Sequence, residues 1–145
     1  MKAITLFSHG IDSPVASKIC NDKGIDLIGL HFCSKAINKT YLDNLKQLAQ
    51  LSGIKKLYLA DQSHYHKEYK KICNTRLQCV FCKRMMLRIA EKLAEKENCK
   101  FIVTGDNLSQ VATQTIENMR VVSSVIKNKD IIILRPILTN EKTKQ

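Results

Sequence analysis

The sequence predicts an α/β fold: a doubly wound, mostly parallel five-stranded sheet in a three-layer sandwich. Three observations predict it. Short apolar, β-branched runs alternate with stretches of helical period along almost the whole chain. The first run is followed by a tight polar loop and a helix start. Polar, glycine-containing segments recur just after several of the runs, where ligands bind on open parallel sheets.

The elements follow in order. Residues 2–7 form strand one, and residues 14–21 form helix one with Pro14 at its first position. Residues 26–32 form strand two. Residues 41–52 form a helix with Leu42, Leu45, Leu48 and Ala49 on one face, closed by Gly53. Residues 55–60 form strand three, and 64–74 read as helical. Residues 83–97 give the strongest helical pattern, with Met86, Ile89, Ala90, Leu93 and Ala94 in one apolar stripe. The adjoining Met85 and Met86 suit core filling better than a ligand site. Residues 101–104 form strand four, 110–119 a helix and 131–134 strand five. Residues 1–138 are expected to make one domain, with 139–145 a polar tail.

The 145 residues carry 24 Lys and Arg against 13 Asp and Glu, a formal charge of +11. That excess favours a polyanionic partner such as nucleic acid over a merely solubilising face. No run of eighteen apolar residues occurs, so no membrane partner is expected. Six cysteines without an export signal point to reduced thiols in the cytoplasm.

The most informative loop is Ser8-His9-Gly10-Ile11-Asp12-Ser13. It places backbone N–H groups at a helix N-terminus, where the helix dipole favours an anion. Ser8 and Ser13 add hydroxyls, Gly10 admits a close phosphate, and Asp12 supplies a carboxylate. An ordinary strand-to-helix turn capped by Ser13 is the other reading. After strand four, Gly105-Asp106-Asn107 leads to Gln110 and Gln114, one helical turn apart; an Asx-type turn explains the same residues. Cys79 and Cys82 make a C-x-x-C placed just before the long helix, where thiol pKa values fall and two thiolates can converge on a metal, a cluster or each other. Cys73 or Cys33 would complete a three-cysteine iron–sulfur site. Cys20 and Cys99 read as buried spectators, and His64 and His66 as surface residues. Lys83, Arg84 and Arg88 form a basic cluster suited to phosphate.

Five stretches together resemble the ATP-pyrophosphatase (PP-loop) domain of the tRNA 4-thiouridine sulfurtransferases, a family also linked to thiamine thiazole synthesis. They are S-H-G-I-D-S-P-V-A (8–16), L-H-F (30–32), C-K-R-M-M-L-R-I-A-E-K-L-A-E (82–95), V-T-G-D-N-L-S-Q-V-A-T-Q-T-I-E-N-M-R-V (103–121) and L-R-P-I (134–137). The resemblance implies an adenine nucleotide alpha hydrolase-like sandwich, here as a stand-alone domain. ATP phosphates would lie over Ser8, His9, Gly10, Ile11, Asp12 and Ser13. Leu6, Phe7, His31 and Phe32 would line the nucleotide, and Lys83, Gly105 and Gln114 match ATP-binding positions. Asp12 matches the acidic residue needed for adenylation, with Mg2+ on the leaving pyrophosphate. Cys79 and Cys82 would handle sulfur, with or without an iron–sulfur cluster.

The chain departs from the family pattern at His9, where glycine is usual; a side chain there narrows the loop or adds a donor. It begins at strand one and stops soon after Arg135-Pro136. On that basis the expected partners are tRNA, a separate tRNA-binding subunit, a sulfur donor protein or sulfide, and a second copy of the chain. The implied function is adenylation of a uridine in tRNA for thiolation. A non-catalytic nucleotide- or RNA-binding module, or an ATP pyrophosphatase acting on a small molecule, are the alternatives.

Overall fold

The computed structural model describes residues 1–34, 37–71, 74–107 and 115–139. Their strands are β1 (Lys2–Leu6), β2 (Asp26–Cys33), β3 (Ile54–Asp61), β4 (Phe101–Val103) and β5 (Ile132–Leu134). The helices are α1 (Asp12–Asp22), α2 (Lys39–Leu51), α3 (Ser63–Tyr69), α4 (Thr75–Lys96) and α5 (Ile116–Ser123). The strands form one sheet in the order β3-β2-β1-β4-β5. Every pairing is parallel. The chain winds outward from β1 to β3, then crosses back to place β4 on the other side of β1. The crevice between β1 and β4 is therefore the topological switch point, where an open α/β sheet receives its ligand.

Side-chain alternation along the strands builds two cores. Ile4, Ile28, Leu30 and Ile102 face one way and pack on Val80, Leu87, Ala90 and Ala94 of α4 and Val122 of α5. Ala3, Phe7, Leu27 and Val103 face the other way onto Ala16 of α1 and Leu45 and Ala49 of α2. This alternation sends neighbouring residues of β2 to opposite faces. His31 turns toward α2, while Phe32 packs on the α4 side.

The structure differs locally from the sequence pattern. Helix α1 starts two residues before Pro14, which falls in the first turn, where its missing N–H would have lacked an intrahelical acceptor anyway. Of the helical stretch expected over 64–74, helix α3 covers residues up to Tyr69, and residues 72–73 lie outside the described residues. Helix α4 begins at Thr75, well before the expected residue 83, because the Asn74 side chain accepts the Leu77 N–H at 3.2 Å and caps it there. The last helix starts at Ile116, with Thr115 accepting from the Asn118 N–H, and runs on to Ser123. Of its expected span, residues 110–114 lie outside the described residues. The apolar stripe of α4 is also shifted: Leu87 is 2 % exposed and buried in the core, whereas Met86 borders the cavity described below.

Candidate functional site

The chain leaves β1 at Leu6, crosses the loop and enters α1 at Asp12. Ser13 does not cap α1: the capping position, Ile11, makes no side-chain cap bond. Ser13 Oγ instead accepts the Ser8 N–H at 2.8 Å and donates to Ser8 O at 3.2 Å, pinning the loop's two ends together. Ser8 Oγ lies 3.1 Å from Ser13 Oγ and accepts the Gly10 N–H at 3.3 Å. Beneath them, Ser17 Oγ donates to Ser13 O at 2.7 Å and so accepts from the buried Thr5 hydroxyl at 2.8 Å. A ladder of hydroxyls thus fixes the loop to the sheet before any ligand arrives. A Cβ at Gly10 would meet only Ser8 Oγ, at 3.4 Å, so the protein leaves that side of the loop open.

The end of β4 forms the facing lip. A Cβ built on Gly105 would stand 2.8 Å from Ser13 N and 2.9 Å from the Asp12 carbonyl carbon. Only glycine lets the two loops touch. Next to it, Asp106 Oδ2 accepts from Thr104 Oγ1 at 2.9 Å and from Arg135 Nε at 3.1 Å. Arg135 is held from its other end by a 2.6 Å bond to Ser123 Oγ. Asp106 Oδ1 faces Lys83 Nζ across 3.8 Å, a looser contact that leaves the ammonium able to turn to a phosphate.

These lips enclose a cavity of about 290 Å³. Leu6, Phe7, Ser8, Asp12 and Ser13 line it from the β1 side, His31 and Phe32 from β2, Lys83 and Met86 from α4, and Thr104, Gly105 and Asp106 from β4. The apolar walls suit a base and ribose, and the loop with Lys83 suits phosphates. Of the residues the resemblance implied, Leu6, Phe7, Ser8, Asp12, Ser13, His31, Phe32, Lys83 and Gly105 line this one cavity. His9, Gly10 and Ile11 are exposed and do not line it, and the His9 ring lies 4.3 Å from that of Tyr41. Gln110 and Gln114 lie outside the described residues. Arg84 bonds α5 at Val121 O and Ser124 Oγ, and Arg88 lines an outer groove with Lys92 and Lys127, so only Lys83 of the basic cluster serves the cavity. Thr104, Asp106 and Met86 are additions. Asp106 stands in sequence beside Gly105, but its partner Arg135 is remote, and the turn reading concealed it.

His31 is the buried polar group of this wall. Its Nδ1 lies 2.8 Å from Phe7 O, which can only accept, so Nδ1 carries the proton and donates. Nε2 then accepts from the Tyr41 hydroxyl at 2.8 Å. Burial holds its pKa below the ordinary 6.5, against the raising effect of the Phe7 bond, and His9 lowers it further. The unfolded chain therefore takes up this proton first as pH falls. Stability contributed by neutral His31 is present above pH 6.5 and is lost as pH falls through 6.5 toward the folded-state value. Urea unfolding at pH 7.5 and 5.5 is expected to show a loss that shrinks in His31→Gln, whose amide keeps both polar ends without titrating.

The C-x-x-C lies inside α4, not before it. Cys79 is exposed and Cys82 half-buried, three residues apart on one helical face. Burial, then Cys79, pushes the Cys82 thiol up, with Lys83 opposing; the lowered pKa expected at a helix N-terminus is not found there. Cys82 faces a small crevice bordered by Phe32, Gln62, His66 and Met86, so Phe32 and Met86 separate it from the main cavity. Cys33 is buried at the end of β2, and its thiol is raised too, by burial first and then by Asp61. The described cysteines are free, Cys20 and Cys99 being buried; Cys73 lies outside the described residues. Among the described residues no three His, Cys, Asp or Glu side chains cluster for a metal, and no helix is long and apolar enough to cross a membrane.

Comparison with known proteins places this geometry. Probable tRNA sulfurtransferases from Methanocaldococcus jannaschii and Alkaliphilus oremlandii are 38 % and 32 % identical, each over 97 % of this chain. The chain spans 38 % and 36 % of their lengths. A 4-thiouridine synthetase solved with RNA and bound ATP superposes with a TM-score of 0.86 at 29 % identity, over 99 % of this chain and 38 % of that one. The U34-tRNA thiolase of Methanococcus maripaludis shares the fold, at 17 % identity and a TM-score of 0.69, over 99 % of this chain and 53 % of that one. A family model described as thiamine biosynthesis protein (ThiI) matches residues 1–145, and the chain belongs to that family.

Proposed function

We propose that this chain binds ATP with its polyphosphate on the loop of residues 8–13 and adenylates a uridine in tRNA, releasing pyrophosphate, to prepare that base for thiolation. The observation that carries this reading is the cavity at the β1/β4 crevice, closed by Gly105 against the loop and faced by Lys83. Its support is the likeness of the whole chain to a 4-thiouridine synthetase holding ATP and RNA.

The uracil C4 oxygen attacks the α-phosphorus, the bond to the β-phosphate bridging oxygen breaks, and pyrophosphate leaves. Loop N–H groups and Lys83 hold charge on the leaving group as it develops. Asp12, a carboxylate on the cavity wall at the start of α1, would hold Mg2+ beside the phosphates. Bound there, Mg2+ would neutralise charge on the departing pyrophosphate. A sulfur nucleophile then adds at C4, and AMP departs with the original oxygen. Cys79 and Cys82 offer a route for sulfur from a donor protein's persulfide. One thiol takes the outer sulfur as the donor thiol leaves, and that persulfide adds at C4 as AMP departs. The second thiol cleaves the resulting disulfide to release the thiolated base, leaving a Cys79–Cys82 disulfide for an external thiol to reduce. Free sulfide would add at C4 without them. Among the described residues no third cysteine, histidine or carboxylate clusters with Cys79 and Cys82 to hold an iron–sulfur cluster.

Pyrophosphate release from Mg-ATP with sulfide, with and without unmodified tRNA, tests the reading. Release that depends on tRNA is expected. No release in either condition favours a non-catalytic module, and release without tRNA a small-molecule substrate. With a persulfide donor in place of sulfide, Cys79→Ser and Cys82→Ser, singly and together, are expected to lose thiolated nucleoside by mass spectrometry while pyrophosphate release continues at the parent rate. Full thiolation by the double variant removes the thiols from the reaction.

A further inference from the structure

A second cavity of about 430 Å³ opens at the carboxyl ends of β2 and β3, bordered by Phe32, Cys33, Asn38, Tyr41, Gln62 and His66. Phe32 is the one described residue it shares with the nucleotide cavity. We propose that this second cavity is the acceptor-base subsite and that the Gln62 side-chain amide reads the uracil through its O2 and N3–H; the inference rests on the adenylation reading above.

Three features carry it. Adenylation needs the attacking oxygen within about 3–3.5 Å of the α-phosphorus, so the base must occupy space adjoining the nucleotide. The crevice at Cys82, about 10 Å³, is too small for a base, while the second cavity is large enough and adjoins the nucleotide cavity at Phe32, which lines both. Gln62 is fixed by its backbone, whose N–H donates to Cys33 O at 3.0 Å and whose carbonyl accepts from the His66 N–H at 3.0 Å. Its half-buried side-chain amide forms no hydrogen bond within the described residues, leaving a donor and an acceptor side by side and facing the cavity.

That pair has a chemical consequence. The amide carbonyl accepts uracil N3–H while its NH2 donates to O2, so the C4 carbonyl stays free to attack phosphorus. A cytosine bound by the same amide uses N3 and its C4 amino group, which ties up the position to be modified. Selection comes from orientation as well as affinity. Phe32, Gln62 and His66 also border the crevice of Cys82. A base in this cavity thus has the nucleotide on one side and the sulfur-handling thiol on the other, which both halves of the reaction require.

Two readouts test the proposal. The first needs no turnover: RNA carrying 4-thiouridine is irradiated on the full chain with ATP present, and adducts are located by mass spectrometry. Adducts on Phe32, Tyr41, Gln62 or His66 are expected; adducts confined to other surfaces, or none, overturn the subsite. The second compares Gln62→Ala and Gln62→Glu with the parent. ATP affinity is expected to stay within twofold while kcat/KM for tRNA-dependent pyrophosphate release falls at least tenfold. Parent-like kcat/KM in Gln62→Ala overturns the role of the amide. If the parent itself releases no pyrophosphate with tRNA, the adenylation reading fails, and the cross-linking result still decides whether this cavity takes the base.

Discussion

The Asp12→Ala variant is expected to lose pyrophosphate release by about 10²–10³-fold, the scale for removing one group that stabilises transition-state charge. Asp12 stands at the first position of α1 and on the cavity wall. The neighbouring carboxylate, Asp106, is engaged by Arg135 and Thr104, so it cannot take over Asp12's place at the phosphates. The cost to the fold is small. An acidic residue in a first helical turn is worth about 0.3–1 kcal/mol, and the loop's closure depends on Ser8 and Ser13 rather than Asp12. Thermal unfolding close to that of the parent, with pyrophosphate release near background, is the expected pair of results. A variant that turns over ATP at the parent rate removes Asp12 from the chemistry.

Gly105→Ala is expected to be damaging for a different reason. Its methyl group would lie under 3 Å from both Ser13 N and the Asp12 carbonyl carbon. Both are backbone atoms at the start of a helix, and neither can turn aside as a side-chain tip would. The loop or β4 must shift, at about 1–3 kcal/mol for overpacking. A displacement near 1 Å at the phosphates costs about 10²-fold in rate. Unlike Asp12→Ala, this variant should lose both ATP affinity, by equilibrium dialysis, and thermal stability. Unchanged ATP affinity would show that the two lips do not need to touch.

The two variants also mark what was legible in the sequence. The order of strands and helices and the phosphate-sized loop follow from apolar period and from the Ser-x-Gly-x-Asp-Ser spacing, which are local properties. Gly105 was visible as a glycine at a strand end, but its reason, contact with a backbone almost a hundred residues earlier, was not. Asp106 looked like a turn residue because Arg135 and Lys83 reach it only through the fold. The start of α4 was misplaced because the period of its core face weakens before residue 83. The Asn74 cap that sets the start is a single side chain, and it moved Cys79 and Cys82 from a helix entrance into the helix body. The thiol of Cys82 is accordingly governed by its surroundings and not by a helix dipole.

The pairing of β1 with β4 has a kinetic corollary. Ala3 stands beside Phe101, while β2 and β3 join the sheet by much shorter connections. Closing so long a loop costs entropy that is recovered only once the strand has docked, so this pairing forms slowly and late. During synthesis the loop of residues 8–13 emerges before its opposing lip and waits for it. The cavity between the lips is therefore among the last features the folding chain completes, and a ligand that needs both lips, as ATP does in the proposed function, would bind only the finished sheet and draw the final docking step toward the native state.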